Sequence, residues 1–510
     1  MNACTSRYRR LARTSRSRAL MNESERIVVV GTGPAGAAAA VFLARAGVKP
    51  LLLEAGSNHS RLGLTARIRG VTVAKLKPSV GCRQDLVLSG DATAHIFEAL
   101  APGGLSNHWS CAVPRFAADD FEDAICAGPE FEWPIDYDDL SHWYERVEPL
   151  LHIAGASRDR ERLPAARCTQ NWELGQEWTA VAEEASKVGR DVVAMPYAYG
   201  GETTFTRAAT PFNAFTRLIA PAERAGKVEV RYGARVSRLE WSAVKRRVTE
   251  VVCRDPVTGS EERIPCRAVI LAAGAVNTAE ILLNSRSSNF PDGLGNSHGV
   301  LGKYLHDHPM AKLVLDVDPA VALNPASYIT RPPIGYGTPL YAAAFMQWAG
   351  VGALARSCLT STPGRARRIG FTVFGTMVPS RDDFVAVTGS NGGPGSLSLS
   401  LGHSVSALDT LSNARDELVS IMTRAGWNPR IRVYHVEAPG NSVHYGGTCR
   451  MHRDPKFGVV DSYCRVFDSP NVVVADSAVF TTGPEKNPVL TAMTLAARAA
   501  DRLALELRPN

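Results

Sequence analysis

The first apolar run of the chain, Ile27-Val28-Val29-Val30, is continuous and β-branched rather than alternating, as in a strand covered on both faces. It leads into Gly31-Thr32-Gly33-Pro34-Ala35-Gly36, and the alanine-rich stretch from Ala37 to Ala46 predicts a helix. Lys49 to Leu53 predicts a second short strand, ending on Glu54. A similar strand-like run, Ala268 to Ala273, precedes Gly274-Ala275-Val276-Asn277-Thr278-Ala279 and an apolar helix start at Ile281-Leu282-Leu283. Residues 369–401 change period: Phe371-Thr372-Val373-Phe374 and Ser396-Leu397-Ser398-Leu399-Ser400-Leu401 alternate, which predicts one half-buried sheet. Asn391-Gly392-Gly393-Pro394-Gly395, between those strands, reads as a turn or as a loop near an active site. Val472 to Asp476 leads through Asn487-Pro488 to a terminal helix, and no internal repeat is visible.

A chain of 510 residues has room for about three domain-sized units. With 45% hydrophobic and 21% charged residues it reads as a soluble globular protein, neither disordered nor fibrous. No apolar stretch approaches the roughly 18 residues of a membrane-spanning helix. The net charge of +7 is concentrated at the start, where Arg7, Arg9, Arg10, Arg13, Arg16 and Arg18 occur with no acidic residue among positions 1–20. The remaining basic residues almost balance the 50 acidic ones, so nucleic acid is not an expected partner. Residues 1–21 read as a basic disordered tail with no apolar signal core, although their Arg/Ser-rich makeup faintly resembles a transit peptide. The ten cysteines form no C-x-x-C pair, so neither a metal site nor a disulfide framework is expected, and the default compartment is a reducing cytoplasm.

The βαβ opening carries the first chemistry. Gly31, Gly33 and Gly36 permit a tight turn and close approach of a pyrophosphate to the N-terminus of the helix that Pro34 and Ala35 begin. Glu54, 18 residues after Gly36, is placed to accept hydrogen bonds from ribose hydroxyls. This motif predicts a dinucleotide site without separating FAD from NAD.

Four further segments make that choice. Gly103-Gly104-Leu105-Ser106-Asn107-His108-Trp109-Ser110 is a glycine-rich loop, and the Ala268–Ala279 run is the second segment. Leu301-Gly302-Lys303-Tyr304-Leu305-His306-Asp307-His308-Pro309 and His444-Tyr445-Gly446-Gly447-Thr448-Cys449-Arg450-Met451 complete the set. Together they resemble the glucose/methanol/choline (GMC) family of FAD-dependent oxidoreductases from about residue 26 to residue 507. Within that family, Gly103–Phe116 and His444–Thr448 look most like pyranose oxidases and related bacterial sugar or glycoside oxidases. The chain is shorter than fungal pyranose oxidases, which implies that their oligomerisation and head segments are reduced.

The resemblance implies an α/β fold with a Rossmann-like FAD-binding domain and a second, antiparallel-sheet substrate-binding domain, both discontinuous in sequence. The FAD domain is expected from 22–118, 208–312 and 440–510, and the substrate domain from 119–207 and 313–439. Besides the first glycine motif and Glu54, the implied cofactor residues are Gly103, Gly104, Ser106, Asn107, His108, Ser110, Val236, Asp476 and Asn487. Relatives with a histidine at the place of His108 can bond it covalently to the flavin, and others hold FAD noncovalently. Ser110 is placed to reach the flavin's reactive nitrogen or to be an ordinary loop serine.

Alcohol oxidation needs a base for the hydroxyl proton and an aligned hydrogen-bonding partner. The resemblance assigns these to His444 and Asn487, with His435 as rival base and with His306 and His308 organising the loop under the cofactor. The expected substrate is a small-molecule alcohol, a sugar or glycoside oxidised to a keto-sugar. A non-sugar alcohol or an amino sugar is the alternative, and a lyase on the same fold a more distant one. Ser380, Arg381, Asp382 and Asp383 are either hydroxyl partners in the roof of the site or a solvated turn. The electron acceptor is oxygen or another carrier.

Overall fold

The computed structural model describes residues 26–57, 81–83, 85–198, 212–255, 258–322, 325–334, 342–348, 365–388 and 396–508. The basic tail and the Asn391–Gly395 turn lie outside the described residues. In chain order, the elements that position the site are β1 (Ile27–Val30), α1 (Pro34–Arg45), β2 (Leu51–Glu54), β3 (Val192–Ala194), β4 (Glu229–Tyr232), β5 (Ala268–Leu271), α2 (Ala275–Asn284), β6 (Met310–Ala322), β7 (Ser327–Ile329), β8 (Ala343–Trp348), β9 (Arg365–Gly375), α3 (Val405–Arg424), β10 (Arg430–Val436), β11 (Arg465–Val466), β12 (Ser469–Val474) and α4 (Val489–Glu506).

One sheet has the order β4-β2-β1-β5-β12-β11, parallel except for the β11 edge. Every residue of β1, β2 and β5 is buried, which is why these strands read as unbroken apolar runs. The alanines of α1 reflect close helix packing: Ala37 to Ala40 have no exposed surface, and α1 lies against α4, whose buried face includes Ala496, Ala497 and Ala500. Pro34 occupies the first turn of α1, where its missing N–H has no intrahelical partner to lose.

The second sheet has the order β10-β6-β9-β8-β7-β3 and is antiparallel throughout. Its period-2 alternation sorts side chains to two faces. On one face Leu313, Leu315, Phe345, Phe371 and Val373 pack against Leu411, Leu418, Ile421 and Met422 of α3. Each such buried side chain contributes about 1.5–3 kcal/mol. On the other face Ala344, Met346 and Phe374 form a separate cluster, and Met346 and Phe374 turn toward the cavity that holds the candidate site.

The alternating stretch 369–401 divides between two sheets instead of forming one. Arg365–Gly375 belongs to the second sheet, whereas Phe384–Thr388 and Ser396–Ser400 pair with each other and with Leu86–Leu88. Leu397, Leu399 and Leu401 join the core that surrounds the parallel sheet. Alternation specifies that a strand has one buried face, and it is silent about which partner supplies the burial. Among the described residues no helix is long and apolar enough to cross a membrane, and no group of three or more His, Cys, Asp or Glu residues could hold a metal ion.

Candidate active site

A cavity of about 1570 Å³ runs from the β1–α1 turn to His444 and Asn487. At its first end the three glycines have different tasks. Gly31 adopts φ +98°, and a Cβ there would lie 2.4 Å from the Ala272 carbonyl oxygen; one on Gly36 would lie 2.2 Å from the Gly31 carbonyl oxygen. These two let strand, turn and helix pass closely. Gly33 lines the cavity, and a Cβ there would meet no protein atom within 4 Å, so its bareness serves whatever enters.

Among the described residues no side chain caps the N-terminus of α1, which leaves its first N–H groups and positive dipole end available to an anion beside Pro34 and Ala35. Glu54, buried on the cavity wall, accepts hydrogen bonds from the Thr32 hydroxyl at 2.5 Å and from the Gly56 N–H at 2.7 Å. Burial raises its pKa, and those donors work in the opposite direction. The Thr32 hydroxyl also accepts from the Gly103 N–H at 3.0 Å, tying the two glycine loops together, a role the sequence reading did not assign.

In the second loop Gly104, Ser106, His108 and Ser110 line the cavity, His108 and Ser110 with exposed side chains. Gly103 and Asn107 do not line it. Asn107 is a brace instead: its amide donates to the Pro102 and Gly104 carbonyls at 3.1 and 2.7 Å, and its oxygen accepts from Asn213 at 2.8 Å. Ser106 donates to the Gly103 carbonyl and accepts from the Ala214 N–H. Val236 is buried on the cavity wall. Asp476 accepts from the Gly274 N–H, the Thr278 hydroxyl and the Ala478 N–H, joining the end of β12 to the start of α2.

At the far end His444 and Asn487 meet, with His444 Nε2 and Asn487 Nδ2 3.2 Å apart. The backbone that presents His444 is clamped by Asp307, whose buried carboxylate accepts from the Ser442 hydroxyl, from the Ser442 N–H at 3.1 Å and from the His444 N–H at 2.7 Å. Between those two anchors Val443 adopts φ +59°, a strained region for a β-branched residue that costs about 1–3 kcal/mol. Three bonds to one carboxylate, about 1.5–3 kcal/mol each, hold the turn against that strain. Gly446 and His306 exchange backbone hydrogen bonds, and a Cβ on Gly447 (φ +89°) would come within 2.1 Å of the Tyr304 carbonyl oxygen.

The Phe374 ring tilts over His444 with centroids 5.3 Å apart. Burial holds the His444 pKa down at about 3 and that of His306 at about 4, while it raises Asp307 to about 6. His444 is therefore a neutral imidazole at every ordinary pH, with a lone pair to offer.

Residues 130–310 and 407–496 match the two models described as GMC oxidoreductase, and residues 25–114 match the model described as FAD binding domain. The chain belongs to the GMC oxidoreductases. It is similar to 2-methyl-1,2-propanediol dehydrogenase of Mycolicibacterium austroafricanum, at 25% identity over 94% of this chain and 95% of that protein. It is likewise similar to paromamine 6'-oxidase of Streptomyces fradiae, at 24% identity over 94% of this chain and 91% of that one. A C-glycoside 3-oxidase of Microbacterium trichothecenolyticum is 28% identical over 51% of each chain. Among solved structures, pyridoxine 4-oxidase from Mesorbium loti aligns with a TM-score of 0.63 at 17% identity, covering 94% of this chain and 99% of that one, and so shares the fold.

As a GMC oxidoreductase the protein is an FAD-dependent enzyme acting on CH–OH groups, with a Rossmann-like FAD domain and an antiparallel second sheet. Its own residues fit the cofactor. The open face at Gly33, the uncapped α1 terminus and the buried Glu54 suit a pyrophosphate and a ribose, and the same cavity continues to the His444 end. Bound FAD supplies a hydride acceptor for a carbinol carbon.

Placement bears on two alternatives that the sequence leaves open. His435 is exposed on β10, the edge strand, opposite Lys312, and does not line the cavity. Ser380 to Asp383 form a turn outside the cavity, where the Ser380 hydroxyl accepts from the Asp382 N–H and Asp383 accepts from Ser400. His306 and His308 do lie against the loop, His306 paired with Gly446 and His308 donating its N–H to the Ser442 hydroxyl, and they share that role with Asp307, which no motif spacing marks because its partners lie more than a hundred residues away.

Proposed function

We propose that this enzyme oxidises a ring hydroxyl of a sugar or glycoside to the carbonyl, with His444 taking the hydroxyl proton at Nε2 and Asn487 orienting the substrate oxygen. The observation that carries the assignment is the 3.2 Å pairing of His444 and Asn487 on the cavity wall. The step breaks the O–H bond and forms Nε2–H; bound FAD would accept the carbon's hydride, so that the alcohol would lose two electrons and the cofactor gain two. The Asn487 amide favours the developing alkoxide. Phe374 offers an aromatic face to the C–H side of a pyranose, and Asn441 and Ser442 stand on the same wall. The relatives named for paromamine and for C-glycosides support this reading. The partition of the chain into FAD segments 22–118, 208–312 and 440–510 around substrate segments 119–207 and 313–439 is part of the same proposal.

A second reading, a smaller non-sugar alcohol, draws on the apolar side of the wall, Met346, Phe374 and Val443, and on the relative named for 2-methyl-1,2-propanediol. Anaerobic mixing with glucose, aryl glucosides, an aminoglycoside precursor, benzyl alcohol and a short diol, followed by flavin bleaching, separates the two. Bleaching by a carbohydrate supports the first reading, and bleaching by non-sugar alcohols alone rejects it.

The position of His108 on the cavity wall supports a covalent tether to FAD. Acid precipitation is then expected to leave yellow colour in the pellet, and in the supernatant for His108→Ala. Flavin released entirely from the wild type removes the tether and leaves the rest intact.

A further inference from the structure

We propose that His308 is a positioning residue that holds His444 in the tautomer able to accept a proton at Nε2, an inference that rests on the reading of His444 as the base. His308 immediately precedes Pro309 and β6, is buried, and anchors its N–H on the Ser442 hydroxyl at 3.1 Å. Its ring stands edge-on to Phe374 and to His444, at centroid distances of 5.8 and 4.9 Å, and its Nδ1 lies 3.4 Å from His444 Nδ1.

Two imidazole nitrogens share such a contact favourably when one brings an N–H and the other a lone pair; two N–H groups or two lone pairs repel. The other ring nitrogen of His444 decides which is which. The Asn487 amide nitrogen, a donor, faces His444 Nε2 at 3.2 Å, so Nε2 presents its lone pair and the ring proton sits on Nδ1, pointing at His308. His308 Nδ1 is then the acceptor and its own proton lies on Nε2. Besides burial, His444, His306 and His403 each disfavour a charge on His308, while the Asp307 carboxylate accepts from Ser442 and the His444 N–H. When His444 gains the alcohol proton, its Nδ1–H donation to His308 becomes charge-assisted and strengthens at the moment it is needed.

The test is anaerobic stopped-flow flavin reduction by the holoenzyme with the best substrate of the alcohol panel. His308→Leu keeps the volume and removes the acceptor; it is expected to slow the limiting reduction rate about 10- to 100-fold, the size of one charge-assisted hydrogen bond, with little change in half-saturating substrate. His308→Asn, whose side-chain oxygen can accept, is expected to recover most of the rate. Histidine-selective ¹⁵N spectra of the wild-type holoenzyme give a readout independent of the variants' folding. The signal lost in His444→Ala is expected to show a protonated Nδ1 and a bare Nε2. The opposite tautomer, a wild-type rate in His308→Leu, or equal slowing in the Leu and Asn variants overturns the proposal. A wild-type rate in His444→Ala instead removes the base reading beneath it.

Discussion

The two ends of the cavity are built by different means. The dinucleotide end is mostly backbone: a turn set by Gly31 and Gly36, an uncapped helix terminus, and one carboxylate at a strand end, all within residues 27–54. The His444 end is mostly side chain, converging from residues 307–308, 374, 444 and 487, which lie in four separate stretches of the chain. A backbone site is tolerant of side-chain change except where a Cβ intrudes, whereas a convergent site depends on every anchor that sets a distance.

The sharpest way to break this contrast is at the glycines. Gly31→Val and Gly36→Val drive a Cβ into backbone oxygen and are expected to abolish both the folded yield and bound FAD. The Cβ of Gly33→Val has no described protein atom within 4 Å, so this variant is expected to give a folded, colourless protein with wild-type far-ultraviolet circular dichroism. Stoichiometric FAD in Gly33→Val rules out the bare-backbone approach. At the other end Asn487→Ala is expected to keep FAD and melting temperature and to slow flavin reduction roughly 10- to 100-fold, the value of one hydrogen bond to a developing charge. An unchanged rate transfers the orienting role to another group.

The smallest effect is on pH. With the His444 pKa held at about 3 by burial, the flavin-reduction rate is expected to stay flat from pH 8 to 7, read by stopped flow, and a fall near pH 6 belongs to the Asp307 carboxyl that clamps the His444 backbone, which burial raises to about 6. A single-group loss of rate centred near 6.5 that persists in Asp307→Asn contradicts the buried neutral imidazole. The linked stability follows the same sign. Below the ordinary histidine pKa of about 6.5 the unfolded chain takes up a proton that the fold refuses, so this group's contribution to stability is complete above that pH and is lost as pH falls toward 3.

The contrast also explains what was legible beforehand. Gly31 to Glu54 could be read because its chemistry is local: the strand, turn and helix that make the site are contiguous, and each leaves its own period and glycine spacing. His444 and Asn487 were legible through the family resemblance. Their partners were not, since Asp307 and His308 act across more than 130 residues and Phe374 reaches His444 from the opposite sheet. The division of 369–401 between two sheets was hidden for the same reason: strand period is local and strand pairing is not. The brace made by Asn107 was missed because a loop asparagine looks alike whether it faces a ligand or its own carbonyls.

The proposed proton acceptor at the convergent end, His444, is examined most directly by single-turnover flavin reduction of His444→Ala. FAD content and melting temperature are expected to match the wild type, while the reduction rate falls by roughly two to four orders of magnitude, the range for a lost general base. A His444→Ala enzyme that binds FAD and reduces it at the wild-type rate with the same alcohol contradicts the role of His444 as the base.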